Sequence, residues 1–321
     1  DIEALVQQKQ ASSPFPIHYS RNAVPDGELP STVNGIKLAQ GKYIKFLHDD
    51  DVLEPECIAS LVAVMENEAG IVLASSRRQR IDEDGEPLPD IMATCFPFSG
   101  DVIINGKELV SFLGDHTINF IGEPSCIMVR RNDVLEMAET LMSLNGKIID
   151  WVGDLALCVK LLQRGNFAFL AKPLTNFRVS LAQFSQIGRD QAGIGNQGHA
   201  DFRKAIRDLG WYRTSGNNRL VNVAPITPLK ARIFKPVDLL AALQRAAGLG
   251  SVSLASWLGI RRPTEAQRSL IDQHLASQQG GPRIAIMLID LEGTKEAIEH
   301  TLGKLREANT YHNIEIWVFS P

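Results

Sequence analysis

Three consecutive carboxylates, Asp49, Asp50 and Asp51, follow directly on a short apolar run, Tyr43–Leu47. A run of β-branched, aromatic and apolar residues of this length predicts a buried strand. Pro55 then opens a segment whose apolar residues recur at helical spacing, which predicts an amphipathic helix. The acids are therefore expected at the carboxyl end of a strand, where open α/β sheets bind ligands. Like charges this close favour a hard divalent cation, Mg²⁺ or Mn²⁺, which also binds diphosphates.

A solvated acidic turn that caps the following helix is the alternative interpretation of the same residues. Acidic loop clusters are common, and three acids in an isolated loop would favour this alternative. The strand before the acids and the Pro-started helix after them leave the two interpretations about equally supported.

Another carboxylate, Asp154, stands at the start of a second predicted helix. Leu155, Cys158 and Leu161 form one apolar face of that helix, which places Asp154 in its first turn. The helix dipole there favours the ionised carboxylate, and such a group in a cleft can accept a proton from a hydroxyl. A plain N-cap aspartate is the alternative.

Several segments resemble, in the same order, the motifs of family 2 glycosyltransferases, which have the GT-A fold. The segments are Ile17–Asn22, Asn34–Gly41, Gly41–Pro55, Asn119–Arg131 and Asp154–Gly165. The resemblance covers roughly residues 1 to 190. The ordered set is far more specific than any one segment.

The resemblance implies a metal-dependent enzyme that moves a sugar, with inversion, from a nucleoside-diphosphate sugar to a hydroxyl. The acceptor would be a glycan, a lipid-linked or a protein acceptor, most plausibly in the synthesis of a bacterial surface polysaccharide. The site residues that we expect from it are, by role, the catalytic base Asp154; the metal ligands Asp50, Asp51 and Asp49; the donor-binding residues His48 and Asn34; and the acceptor-binding residues Glu123 and Gly122. The expected cofactor is Mg²⁺ or Mn²⁺.

The sequence departs from the family pattern at two positions near the expected metal site. His48 stands where the strict motif has Asp, and Ser180 stands where relatives commonly have a His ligand. These departures favour, as the alternative function, a non-catalytic glycan-binding or scaffolding fragment of a larger glycosyltransferase. A metal-dependent phosphohydrolase is disfavoured, because Val52 and Leu53 do not supply the nucleophile loop which that class needs.

The order of elements also departs from the family at the two ends of the chain. A GT-A domain begins with a β-α-β unit whose strand ends bind the nucleotide, and no such unit precedes Asp1. A similar unit is predicted at the other end, with strands at Arg283–Asp290 and Ile314–Phe319 around a helix at Thr294–Ala308. The favoured expectation is that this unit starts a second such domain. The alternatives are that it fills the sheet of the first domain, as in a permuted chain, or serves a neighbouring chain.

The predicted fold class is α/β. A GT-A (Rossmann-like) mixed sheet flanked by helices is expected over residues 1–194, with its N-terminal part missing. A helical linker or subdomain follows over 195–282, and the C-terminal β-α-β unit over 283–321.

Composition and charge narrow the function classes further. A net charge of −4 offers no footprint for nucleic acid. The dense basic cluster Arg77, Arg78 and Arg80 is predicted in a loop, where it could contact an anionic acceptor such as a lipid diphosphate. No apolar run approaches the length of a membrane span and no signal peptide is visible, so a cytoplasmic location is expected. Peripheral association with the inner face of the membrane and a homo-oligomer stay open.

Overall fold

The computed structural model describes residues 2–21, 28–180, 192–226, 232–250, 281–289, 295–309, 311 and 313–320. The strands within them are β1 (Ile17–Arg21), β2 (Tyr43–His48), β3 (Val52–Leu53), β4 (Ile71–Ile81), β5 (Val102–Ile104), β6 (Met128–Arg130), β7 (Ser143–Leu144), β8 (Lys147–Ile148), β9 (Asn166–Arg178), β10 (Leu220–Pro225), β11 (Lys235–Asp238), β12 (Ile284–Ile289) and β13 (Ile314–Ser320). The α-helices are α1 (Ile2–Gln10), α2 (Glu28–Leu38), α3 (Cys57–Asn67), α4 (Gly106–Asp115), α5 (Arg131–Leu135), α6 (Gly153–Leu162), α7 (Ala192–Asp208), α8 (Leu239–Gly250) and α9 (Lys295–Ala308).

An 11-stranded mixed sheet forms the centre of the structure. Its order is β1-β13-β12-β2-β6-β4-β9-β5-β10-β11, and β3 pairs with β9 outside this path. The first four strands in this order are parallel, whereas β6 runs antiparallel to both β2 and β4. Because parallel strands end at the same edge, the carboxyl ends of β1, β13, β12 and β2 lie along one edge of the sheet. A mixed sheet flanked by helices confirms the predicted fold class.

Two apolar cores cover the two faces of the sheet. Ile44 and Phe46 of β2 belong to the core that also contains residues of α2, α4 and α6. Tyr43 and Leu47 belong to the opposite core, with residues of α1, α3 and α9. A strand that is buried on both faces reads as a continuous apolar run, which is why the strand before the acids could be recognised from sequence.

The C-terminal β-α-β unit lies inside this sheet. β12 pairs in parallel with β2 on one side and with β13 on the other, and β13 pairs in parallel with β1. The favoured expectation that this unit starts a separate domain was therefore wrong for this structure, which has the arrangement in which the unit fills the sheet of the first domain. The physical reason is that β1 and β2 are not neighbours. The two apolar strands supply the hydrogen-bond partners that both need.

A buried carboxylate fastens the terminal unit in place. Oε1 of Glu315, on β13, accepts hydrogen bonds from the N–H groups of Gln40 (2.6 Å) and Gly41 (2.8 Å). Its Oε2 lies 3.2 Å from Nη2 of Arg283, and the Glu315 side chain is fully buried. A Cβ on Gly41 would lie 2.4 Å from the backbone N of Ala285, so the two backbone segments approach too closely for any residue but glycine at position 41.

The segment 195–282 is not wholly helical, and that part of the prediction was wrong. β10 pairs with β5 and β11 pairs with β10, so both strands extend the main sheet. The alternation of buried Val221 and Val223 with more exposed neighbours is typical of a strand at a sheet margin. The predicted boundary after residue 194 falls within α7. The predicted element limits at Asn22, Asp290 and Thr294 lie outside the described residues.

The basic cluster does not lie in a loop, as was predicted, because β4 continues to Ile81. Arg77 forms an ion pair with Asp90 at 2.8 Å, and Arg80 donates to the carbonyl of Pro89 at 2.6 Å. Arg78 is only 2% exposed. All three guanidinium groups therefore have protein partners.

Among the described residues, none of the helices combines the length and the apolar character needed to cross a membrane.

Candidate active site

The acidic turn is held between the end of β2 and the end of β9. Directly after the turn, β3 pairs antiparallel with Thr175 and Asn176 of β9. Arg178, at the end of β9, donates its backbone N–H to Asp51 Oδ1 at 3.0 Å and its Nε–H to the carbonyl of Asp50 at 2.9 Å. These contacts fix the backbone of the turn and the direction of the Asp51 carboxylate.

Three side chains at this turn form a group that fits a divalent cation. His48, Asp50 and Asp51 each place one potential ligand atom within 4.8 Å of the others. Asp51 is 1% exposed, and its Oδ2 is buried without a hydrogen-bond partner among the described residues. Burial and the neighbouring Asp50 carboxylate raise the pKa of Asp51. A buried, unsatisfied carboxylate oxygen beside a second carboxylate is what a cation would relieve.

The donor set would be one imidazole nitrogen and two carboxylates, and His48 would join the expected ligands by giving up its proton when a cation binds. Imidazole and carboxylate together suit Mn²⁺, and the carboxylates also suit Mg²⁺. Nε2 of His48 lies 3.3 Å from Oε1 of Glu28, the first residue of α2. Burial alone would lower the pKa of His48, but the hydrogen bond and charge of Glu28 raise it to about 9.

Asp49 and Asn34 are not part of this group. The N–H of Asp49 donates to the carbonyl of Ile289 at 3.2 Å, and its own carbonyl accepts the Thr301 hydroxyl at 3.1 Å. Asp49 thus links the turn to β12 and α9. Asn34 donates to the Ser20 hydroxyl at 3.3 Å and so joins α2 to β1.

Asp154 lies in the first turn of α6, as the sequence predicts. Its Oδ1 accepts the N–H of Leu155 at 2.8 Å, and its Oδ2 accepts Nδ2–H of Asn119 at 2.7 Å. Burial, followed by the charge of Glu123, raises the pKa of Asp154 to about 7. The helix N-terminus was expected to keep this carboxylate ionised, but burial outweighs that effect.

Glu123 and Gly122 lie in the loop between α4 and β6. Oε2 of Glu123 is 2.6 Å from Nε of the buried Arg78. Gly122 has φ +117°, and a Cβ there would lie 2.5 Å from the Cβ of Cys126, so this position requires glycine. The Glu123 side chain is partly exposed, and its charge contributes to the raised pKa of Asp154.

The sequence pattern described as Glycosyl transferase family 2 matches residues 1–135. Over these residues the chain is similar to glycosyl transferase family 2. The match includes the acidic turn and the loop with Gly122 and Glu123 but ends before Asp154. No protein with a curated description matches the chain. This match supports a glycosyltransferase activity in general.

Four residues of this candidate site were not singled out from sequence. Asn119 begins one of the segments that resemble the family but had no assigned role, nor had Arg178, and Arg78 was predicted in a loop. Glu28 carried no signal beyond its position at the start of a helix. A helix-starting acid and an arginine at a strand end are common features, so only their contacts distinguish them.

Proposed function

We propose that this glycosyltransferase moves a sugar from a nucleoside-diphosphate sugar to a hydroxyl of a glycan, lipid-linked or protein acceptor, with inversion at the sugar carbon. One observation carries the proposal: Glu28 contacts His48 of the cation-binding group, and its charge also acts on Asp154. Glu28 lies 3.3 Å from Nε2 of His48 and also contributes to the raised pKa of Asp154, so the start of α2 lies near both groups. A proton acceptor opposite a cation-binding group is what a single displacement at a sugar diphosphate requires.

Asp154 is the proposed general base. A pKa of about 7 places the group near the working pH, where a base is both available and strong enough to take a proton. Asn119 and the Leu155 N–H each occupy one side of the carboxylate. Each oxygen of a carboxylate has two acceptor sites, so one remains on each oxygen for the acceptor hydroxyl.

His48, Asp50 and Asp51 are the proposed holders of Mg²⁺ or Mn²⁺, with Asp50 as the main ligand. A cation bound there would offset the negative charge that grows on the departing diphosphate. Arg178 keeps the turn in its position through the backbone of Asp50 and Asp51. Asp49 supports the turn by its backbone contacts with β12 and α9 rather than as a member of the cation group.

The donor is proposed to lie along the edge where β1, β13, β12 and β2 end, because ligands of open α/β sheets bind outside the carboxyl ends of parallel strands. His48 and Asn34 border this edge, since β2 ends at His48 and Asn34 contacts β1 through Ser20. Gly122 and Glu123 are proposed to border the acceptor side, where Glu123 would accept a hydrogen bond from an acceptor hydroxyl. The likeness of residues 119–131 to bacterial members supports a role in surface-polysaccharide synthesis, at the cytoplasmic side of the membrane.

Calorimetric titration with UDP, GDP and dTDP, each with and without Mn²⁺, tests the donor site. The proposal expects one nucleotide to bind in a Mn²⁺-dependent manner, and Asp50→Ala to abolish that binding. Asp84→Ala, which removes a carboxylate from an exposed turn, is the matched control and should bind as wild type does.

Turnover tests the base. Incubation of the identified donor with a panel of hydroxyl acceptors should yield product with wild type and none with Asp154→Asn, while Asp154→Asn keeps donor affinity. Donor binding without turnover on any acceptor would favour a glycan-binding or scaffolding protein. No binding of any nucleotide would contradict the proposal.

A further inference from the structure

Two hydrogen bonds orient the Asp154 carboxylate, one within its own helix and one from a distant loop. Of its two carboxylate oxygens, Oδ1 is held by the N–H of its own helix at Leu155, and Oδ2 by Nδ2 of Asn119 at 2.7 Å. Asn119 lies 35 positions away, in the loop before β6. The helix contact alone leaves the carboxylate free to turn about its side-chain torsions, whereas the second contact fixes the plane of the group relative to the cleft.

The orientation of the Asn119 amide is itself determined by its neighbours. Its Oδ1 accepts the backbone N–H of Gly122 at 3.1 Å. A backbone N–H can only donate, so the amide oxygen must face Gly122 and the amide nitrogen must face Asp154. The loop conformation that presents this N–H depends on Gly122, whose φ of +117° and lack of space admit no side chain.

Arg78, on β4, contacts the same loop at Asn119 and Glu123. Its Nη2 donates to the carbonyl of Asn119 at 2.8 Å and to Oε1 of Glu123 at 3.2 Å, while its Nε lies 2.6 Å from Oε2 of Glu123. The register of β4 against β9 shifts between Ser76 and Arg78. Such an irregularity redirects a side chain, and here it delivers a buried guanidinium beneath the loop. The planar guanidinium fixes two sites of the loop at once.

We propose that Asn119 is a positioning residue for the base of this glycosyltransferase, and that Arg78 positions Asn119 and Glu123 together. Asn119 acts through Asp154, which it holds with one free acceptor site on each oxygen turned toward the acceptor hydroxyl. Arg78 keeps the loop seated and offsets the charge of Glu123, so that two carboxylates can share the acceptor side of the cleft. The inference rests on the proposed glycosyl transfer, in which Asp154 is the base.

The test compares wild type with Asn119→Ala and with the isosteric Asn119→Asp. The variant Asn222→Ala is the matched control, because Asn222 donates from its amide to Glu108 at 2.9 Å, a similar contact outside the loop that carries Asn119. The first readout is the pKa of Asp154, which is measured by ¹³C NMR of carboxyl-labelled aspartate. The Asp154 resonance is assigned by its absence from the spectrum of Asp154→Asn. The second is the pH dependence of kcat and KM with the identified donor and acceptor.

We expect the pKa of Asp154 to rise by about one unit in Asn119→Ala, because a hydrogen bond to the ionised form is lost. The rise should be larger in Asn119→Asp, where a like charge faces the base. We expect kcat to fall about 10-fold to 100-fold in both variants, with KM for the donor unchanged. The acid limb of the pH profile should move by the same amount as the NMR titration. Asn222→Ala should match wild type in both readouts.

The two readouts separate this inference from the proposed function. An Asp154 pKa and a kcat that stay at wild-type values in both Asn119 variants would overturn the positioning role while leaving glycosyl transfer intact. If the Asp154 pKa rises in the Asn119 variants but wild type transfers no sugar, the contact of Asn119 with Asp154 is supported and the proposed function is overturned. A loss of kcat without any change in the Asp154 pKa would contradict the role argued here.

Discussion

Replacing Asp154 by Asn is expected to stabilise the fold at alkaline pH. The pKa of Asp154 is about 7 in the folded protein, against an ordinary value of 3.8. Each pKa unit corresponds to about 1.4 kcal/mol, so ionising the group in the fold costs about 4 kcal/mol at a pH well above 7. This figure is an upper bound, because the side chain retains some contact with solvent in the cleft.

The substituted amide carries a cost of its own. The N–H of Leu155 and the Nδ2–H of Asn119 both donate to Asp154, and an asparagine side chain has one oxygen to meet two donors. One donor is then left facing an NH₂ group, which costs about 1–3 kcal/mol. The net gain expected for Asp154→Asn above pH 8 is therefore about 1–3 kcal/mol.

The pH dependence identifies the cause. The folded state binds the Asp154 proton more tightly than the unfolded state does, so this contribution to wild-type stability is complete below pH 4 and is lost as pH rises toward 7. The variant lacks this titration. The difference in unfolding free energy between variant and wild type should thus grow by about 2–3 kcal/mol from pH 5 to pH 8.5.

Guanidinium denaturation at several pH values measures this difference. Asp84→Asn, on an exposed turn, is the control and should follow wild type within about 0.5 kcal/mol at every pH. A difference between Asp154→Asn and wild type that stays constant from pH 5 to pH 8.5 would refute the burial argument.

Three further changes test the rest of the structure. Glu315→Leu leaves the buried N–H of Gly41, the partly buried N–H of Gln40 and the Arg283 guanidinium without their acceptor, and chemical denaturation should show a loss of about 2–4 kcal/mol; a loss below about 1 kcal/mol would mean that the terminal unit is not fastened there. Gly122→Ala should cost about 2–4 kcal/mol by thermal unfolding, whereas Gly85→Ala, which also has a positive φ but meets nothing within 4 Å, should cost about 1 kcal/mol; equal losses would contradict the crowding argument. His48→Ala should weaken the affinity for Mn²⁺ by about 10-fold or more, as measured by electron paramagnetic resonance of free Mn²⁺. An unchanged affinity would remove His48 from the cation group.

Local patterns carried most of what the sequence predicted correctly. The strand before the acids, the helix after Pro55 and the first turn of α6 each depend on residues within a few positions of one another. Periodicity and capping report such short-range relations well. The positions of the acidic turn and of Asp154 in the fold could therefore be stated before the structure.

The contacts that complete the site are long-range, and no local pattern encodes them. Arg78 lies 45 positions from Glu123, and three arginines in a run of four residues are more typical of an exposed loop than of a buried strand. The ion pair with Glu123, which the pairing of β4 with β9 makes possible, offsets the desolvation cost of burying the Arg78 guanidinium. His48 was assigned to the donor, and its convergence with Asp50 and Asp51 depends on how the turn is folded back by Arg178.

The placement of β12 and β13 between β1 and β2 has a consequence for how the protein assembles during its synthesis. Glu315 and Gln40, which meet in the folded sheet, are 275 positions apart. The ribosome therefore synthesises β1 and β2 long before β13 and β12, with which they pair. Until then, the edges of β1 and β2 that face these strands have no backbone hydrogen-bond partners. Contacts at this separation close slowly, and exposed apolar edges invite pairing with other chains. The edge of the sheet that bears the acidic turn is complete only after β13 has been synthesised, so the nascent chain should depend on chaperones until β13 has entered the sheet.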